Sequence, residues 1–403
     1  MTLEIMIILL MKFNNTSIRN AVKLYLKNKL QAILQFGTID TWDTSNVTDM
    51  RQLFKNALSF NDNINNWDVS NVTDMSFMFD RAARFNQPLN KWNTSKVINM
   101  AFMFHDAVYF NKDIGNWDVS NVKCMHSMFC CAKQFNQRIG KWNTGKVTDM
   151  ARMFCGAISF NQPIDKWNTS RVNNMSYMFN KAIIFNQDIS CWDTSSLNLM
   201  DCMFCEAFKF NQPLNDWNTR NVIYMCETFK YATSFNQPLY NWNTRNVINM
   251  DGMFRNAENF NQDISEWITK NVINMHGMFS NATKFNQDLS NWDVSELRDI
   301  AFMFSNAISF YQDLSKWNIE KISDKNNVIN NTKLELALNG SDCFDKEAMK
   351  RLFNYDRRKN FLQFLVEDGY LPYQGEYSYN RVTSIKSTVF NIDGIQRSIM
   401  SFI

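Results

Sequence analysis

Residues 67–91 read W-D-V-S-N-V-T-D-M-S-F-M-F-D-R-A-A-R-F-N-Q-P-L-N-K, and the same line is written eleven times between Trp42 and Lys316. All twelve tryptophans of the 403-residue chain stand 25 residues apart, from Trp42 to Trp317, where a twelfth copy begins. A fixed period of roughly 20–50 residues marks an array in which each unit stacks only on its neighbours. The expected architecture is a right-handed repeat solenoid spanning residues 42–322. Stacked copies build a surface more readily than an active site.

Within one copy, Trp67 and Val69 alternate with Asp68 and Ser70, the period-2 pattern of a half-buried strand. Val72, Met75, Met78, Phe79 and Ala82 then follow at spacings of three and four, which predicts a helical or 3-10 turn with one apolar face. Phe85 and Leu89 close the path back to Trp92. The inward columns scarcely vary, and Trp67, Trp92, Trp117 and Trp142, with Phe79, Phe104, Phe85 and Phe110, represent the expected core. Alanine fills the Ala82 column in all eleven copies, where a larger side chain would prise layers apart. Asn86 and Gln87 recur almost as strictly, which predicts a ladder of amides bonded from copy to copy.

Composition agrees with a repeat and excludes several classes. Nineteen of 24 Met and 22 of 34 Phe belong to repeat columns, so the methionine excess is no binding tail. A net charge of +3 sets up no global field toward nucleic acid or membrane. No run spans a bilayer. The apolar stretch at 5–11 lacks a basic flank and a small-residue cleavage site, so a secretory signal is not expected.

Nine cysteines do not suggest a disulfide framework, and free thiols in a reducing, intracellular compartment are the default; a cell-surface or secreted address is the alternative. Cys130 and Cys155 share a column in adjacent copies, so a disulfide between them is the second reading. Cys205 continues the column and forms a CxxC with Cys202. Metal is the third reading, because a column offers ligands in a line rather than a tetrahedron. His105, His126 and His276 occupy variable positions and read as solvent-facing filler. No phosphate loop, zinc spacing or nucleophile elbow is present, so neither catalysis nor a cofactor is expected.

Binding is expected on outward columns of the strand. The Asp/Asn column through Asp68 and Asn93 reads as structural, bonded along the stack. Two residues on, most copies carry Ser, but Arg220, Arg245 and Lys270 make a basic ridge on neighbouring copies. Like charges at this spacing repel unless an anionic partner or screening ions compensate. In the variable position before each Trp, Lys141 and Lys166 add candidate contacts.

These columns resemble the BspA-like leucine-rich repeat family, first catalogued as a domain of unknown function in mycoplasmas. The likeness rests on Trp67-Asp68-Val69-Ser70-Asn71-Val72-Thr73-Asp74-Met75 through Phe79, Ala82, Phe85-Asn86-Gln87 and Leu89, and covers about 70% of the chain. It implies a leucine-rich-repeat-like solenoid and a role in protein interaction or surface adhesion. Ahead of the first copy, Thr16 and Ser17 are expected to cap one amphipathic helix through Ile18, Ala21, Val22, Leu24, Tyr25, Leu30, Ile33 and Leu34, covering the open end. Residues 323–403 read as a mostly helical segment of unknown role, with a helix capped by Asp345. The expected function is a non-enzymatic protein-interaction scaffold. A BspA-type adhesin is the alternative, and polyanion binding through Arg220, Arg245 and Lys270 comes third.

Overall fold

A computed structural model describes residues 12–319, 321–323, 328–330 and 332. They lie in the compact unit Met1–Asn354; a second unit, Tyr355–Ile403, falls outside the described residues. So do the apolar run at 5–11 and the helix expected from Asp345.

The N-terminal cap is two helices, not one. Helix α1 spans Asn15–Lys27, and Asn14 starts it by accepting the N–H groups of Thr16 and Ser17 at 3.0 and 2.9 Å. Ser17 returns the favour to the Asn14 N–H at 2.9 Å, so Ser17 is the third residue of a capping box rather than the cap. Asn28, at φ −148°, then breaks the helix, and its side chain caps α2, Lys29–Phe36, through the Gln31 N–H at 3.1 Å. The break re-aims the second half. Leu30 and Leu34, expected inside, are 69% and 73% exposed. The first tryptophan is still covered. Phe13, Tyr25 and Phe36 sit 5.0, 5.8 and 6.0 Å from the ring of Trp42.

The repeats correct the expectation of a strand followed by a helical turn. Among the described residues no copy contains a helix, and residues 67–70 form no strand. The backbone contact between copies is instead at 73–81, downstream of the predicted strand. The N–H groups of Met75, Phe77, Phe79 and Arg81 donate to the carbonyls of Asn99, Ala101, Met103 and His105 in the next copy, at 3.0, 2.9, 2.9 and 2.7 Å. A parallel bridge joins Asp74 to Asn99, and the series continues to Asn274 and Asp299. The intervening N–H groups close turns within the copy, as in Met78 to the Met75 carbonyl at 3.2 Å and Ala82 to the Phe79 carbonyl at 2.9 Å.

Such turns need a left-handed residue at their third position. Phe77 and Arg81 supply it at φ 57° and 59°. The same two positions are left-handed in every complete copy, occupied by Gly only at 156, 252 and 277. Tight turns therefore place apolar side chains inward at spacings of three and four without any helix. Left-handed backbone costs a non-glycine residue roughly 1–2 kcal/mol. Arg81 is exposed, and Asp106 stands 3.9 Å away. Arg81→Gly is thus expected to stabilise the chain by about 0.5–1 kcal/mol, read as a higher urea midpoint. A lower midpoint would show that the ladder, not the side chain, sets this conformation without strain.

The predicted core columns are buried throughout. Trp67, Trp92, Trp117 and Trp142 are at most 4% exposed, and Phe79, Phe85, Phe104 and Phe110 are sealed. Rings of one column stack between copies, with centroids 5.4 Å apart for Phe79–Phe104, 6.0 Å for Phe85–Phe110 and 6.1 Å for Trp92–Trp117. Each indole N–H from Trp67 onward reaches back to a carbonyl 28 residues earlier, as Trp92 does to Ile64 at 3.2 Å.

Candidate functional site

Three successive copies present the basic ridge at turn tips. Arg220, Arg245 and Lys270 follow the buried Thr219, Thr244 and Thr269, and the turn closes through Val222, Val247 and Val272 N–H bonds to those threonines. The asparagine after each cation ties the tips together: Asn246 Nδ2 donates to the Arg220 carbonyl at 2.7 Å, and Asn271 Nδ2 to that of Arg245 at 2.8 Å. All three cations are exposed, and none lies within 4.0 Å of a carboxylate among the described residues. Lys141 and Lys166 are exposed as well, but they stand two or more copies away in a different column. Lys166 pairs with Asp165 at 3.4 Å. The structure does not bring them to the ridge.

The ridge has a neighbour that the sequence reading left out. Ile223, Ile248 and Ile273 occupy the same three copies, three residues further on, and their backbones are joined at 3.0 and 2.9 Å. Ile273 is 42% exposed, and Ile223 and Ile248 are half-buried. The signal was available: the three copies alone read T-R-N-V-I, T-R-N-V-I and T-K-N-V-I over 219–223, 244–248 and 269–273.

The Asp/Asn column does not bond along the stack as expected. The Asp and Asn side chains from Asp43 to Asp293 accept the N–H two residues on, as Asp68 does from Ser70 at 3.0 Å, making a local turn. The serine hydroxyl and N–H hold the carboxyls of Asp118, Asp193 and Asp293 below the ordinary range. The bond between copies comes from the buried residue after it, as in Thr94 Oγ1 to the Asp118 carbonyl at 2.9 Å. By contrast, the amide ladder is as read. Asn136 Oδ1 accepts both Asn161 N–H and Gln162 Nε2, each at 3.0 Å.

The ladder side of the stack carries the most varied chemistry. A shallow concavity of about 520 Å³ opens between Tyr177, Asp201, Cys202, Tyr224, Glu227 and Asp251. Burial pushes the carboxyls of Asp201 and Asp251 upward. Contact with the Cys202 thiol pushes the Tyr177 hydroxyl up to about 12. The histidines are not solvent-facing filler. His105 Nδ1 meets the buried Asp80 at 2.7 Å, and His126 and His276 face Asp149 and Asp299 at 3.3 and 3.5 Å. Neighbouring copies supply each partner, so no single copy reveals the pairing.

Cys130 and Cys155 stand free on this side, as do the other cysteines among the described residues. No group of three His, Cys, Asp or Glu side chains there is arranged to hold a metal ion. No described helix is long and apolar enough to cross a membrane.

The profile of the family described as "Mycoplasma protein of unknown function, DUF285" matches the chain three times in tandem, over residues 24–142, 125–242 and 224–340. No curated protein matches the chain.

Proposed function

This chain belongs to the Mycoplasma family of unknown function whose profile recurs along it, and from that premise we propose a non-enzymatic scaffold for protein–protein interaction. The tandem copies build a leucine-rich-repeat-like solenoid, and its edge at 217–273 receives the partner. One observation carries the reading: three consecutive copies depart together from the repeat, placing Arg220, Arg245 and Lys270 beside Ile223, Ile248 and Ile273. A row of cations next to a row of half-exposed aliphatics suits a protein surface that interleaves carboxylates with apolar groups. Charge steers the encounter, and aliphatic burial slows release.

The test is affinity capture from cells that express the chain, comparing wild type with a variant in which Arg220, Arg245 and Lys270 are all Ser. The variant is expected to lose its partner by about tenfold or more, equivalent to about 1.4 kcal/mol. Its circular dichroism and melting should stay unchanged, because the three side chains are exposed. An identical set of captured proteins from both forms sinks the reading. Capture that disappears on nuclease treatment replaces it with polyanion binding, whose salt dependence would be steep.

A further inference from the structure

Three thiols converge where two copies meet on the ladder side. Cys130 Sγ stands 3.9 Å from Cys131 Sγ, and the Cys131 N–H donates to the Cys155 carbonyl at 2.7 Å. Gly156 makes room for the sulfur: a β-carbon at that position would lie only 3.1 Å from Cys131 Sγ. Cys130 is buried, whereas Cys131 is half-buried and open to solvent on one side. Lys133, Arg152 and Lys181 bring positive charge to the trio, against Asp106.

We propose that Cys131 is a thiol-modification site that takes up small anionic disulfides of the glutathione class as a mixed disulfide. The Cys131 thiolate attacks one sulfur of the incoming disulfide, forming a new S–S bond as the old one breaks. The leaving thiolate carries off the electron pair and is protonated by water, so the incoming disulfide is the only oxidant. Cys130 acts as a positioning residue, its S–H donating to the attacking sulfur. The surrounding cations favour an incoming molecule with carboxylates. None of this rests on the protein-binding reading, which concerns other copies.

The electrostatics agree with the geometry. The hydrogen bond from Cys130 draws the Cys131 thiol down to about 7, while burial pushes Cys124 and Cys226 up. An ordinary cysteine, near about 8.5, is only a few per cent thiolate at neutral pH. Cys205 is also lowered, by its contact with Cys202, but both are buried. Cys191 is the exposed thiol among the described residues and serves as the internal standard.

The test treats the full reduced chain with glutathione disulfide at pH 7 and follows each cysteine peptide by mass spectrometry over time. Cys131 is expected to be modified about five times faster than Cys191, a margin already reduced by the weaker nucleophilicity of a more acidic thiol. The margin should vanish at pH 9, and cystamine, a cationic disulfide, should show a smaller margin at pH 7. Cys130→Ala should slow Cys131 by about threefold or more with unchanged circular dichroism. Cys191 reacting as fast or faster at pH 7 overturns the proposal, with no variant needed. An internal disulfide within the trio, read as the loss of two hydrogen atoms without any adduct, also overturns it, as does an equal margin with cystamine.

Discussion

Trp142→Ala is expected to lower stability by about 3–5 kcal/mol, read as a fall in urea midpoint without a change in slope. The ring is 2% exposed, stacks on Trp167 with centroids 6.3 Å apart, and lies 6.3 Å from Phe129. Its N–H donates to the Ile114 carbonyl at 3.1 Å, so alanine also removes one of the two donors on that oxygen, which keeps the Trp117 N–H. The cavity would open in mid-array, and collapse to fill it is resisted because layers above and below are held in register by backbone bonds. In a stacked array each unit is stabilised through its two interfaces, so the loss reaches both neighbours. A loss below about 1 kcal/mol would mean that the tryptophan column contributes little to holding copies together.

That column was legible because identity itself repeats. Twelve tryptophans at one spacing identify a buried position without any reference to secondary structure, and the same holds for the Phe79, Ala82 and Phe85 columns. Backbone path was not legible. Spacings of three and four are what an α-helix produces, yet a run of tight turns with two left-handed residues yields the same inward sequence. Those two positions hold Phe77, Arg81, Ser127, Cys131, Tyr177 and Glu227 among others, which advertise nothing about φ. Glycine at 156, 252 and 277, and Asn or Asp at 56, 106, 256, 281 and 306, were the hints. Misplacing the strand by several residues then misplaced the face that joins the copies. The Asp/Asn column was assigned to the ladder, while the ladder is at 73–81.

The candidate sites divide along the same line. Arg220, Arg245 and Lys270 could be found by comparing columns, since exposed turn tips tolerate departures from the repeat. Their isoleucine neighbours could have been found the same way, and were missed because threonine-to-isoleucine changes look like ordinary variation in the expected turn. Contacts that cross columns were beyond a column-by-column reading. The Cys131 sulfur lies over Gly156, a position in the next copy where the informative feature is a missing side chain. His105 finds Asp80 only once the copies are stacked.

Asn161→Ala is expected to cost about 1–3 kcal/mol, more than the adjacent Gln162→Ala at under about 1 kcal/mol. The two amides look equivalent in sequence, but their roles are unequal. Asn161 Oδ1 accepts the backbone N–H of Asn186 and the side-chain N–H of Gln187, both at 2.9 Å. Alanine removes one acceptor and strands two donors, one of them on a backbone that has no alternative partner in its turn. Gln162 gives one side-chain bond to Asn136, and that oxygen keeps the Asn161 N–H when the glutamine is gone. A half-exposed glutamine amide recovers most of its loss from water, whereas a backbone N–H facing the next layer does not. The comparison therefore separates a corner bonded through its backbone from one decorated with amides. Equal losses for the two variants, measured by urea unfolding, would show that the ladder holds by side-chain pairing alone.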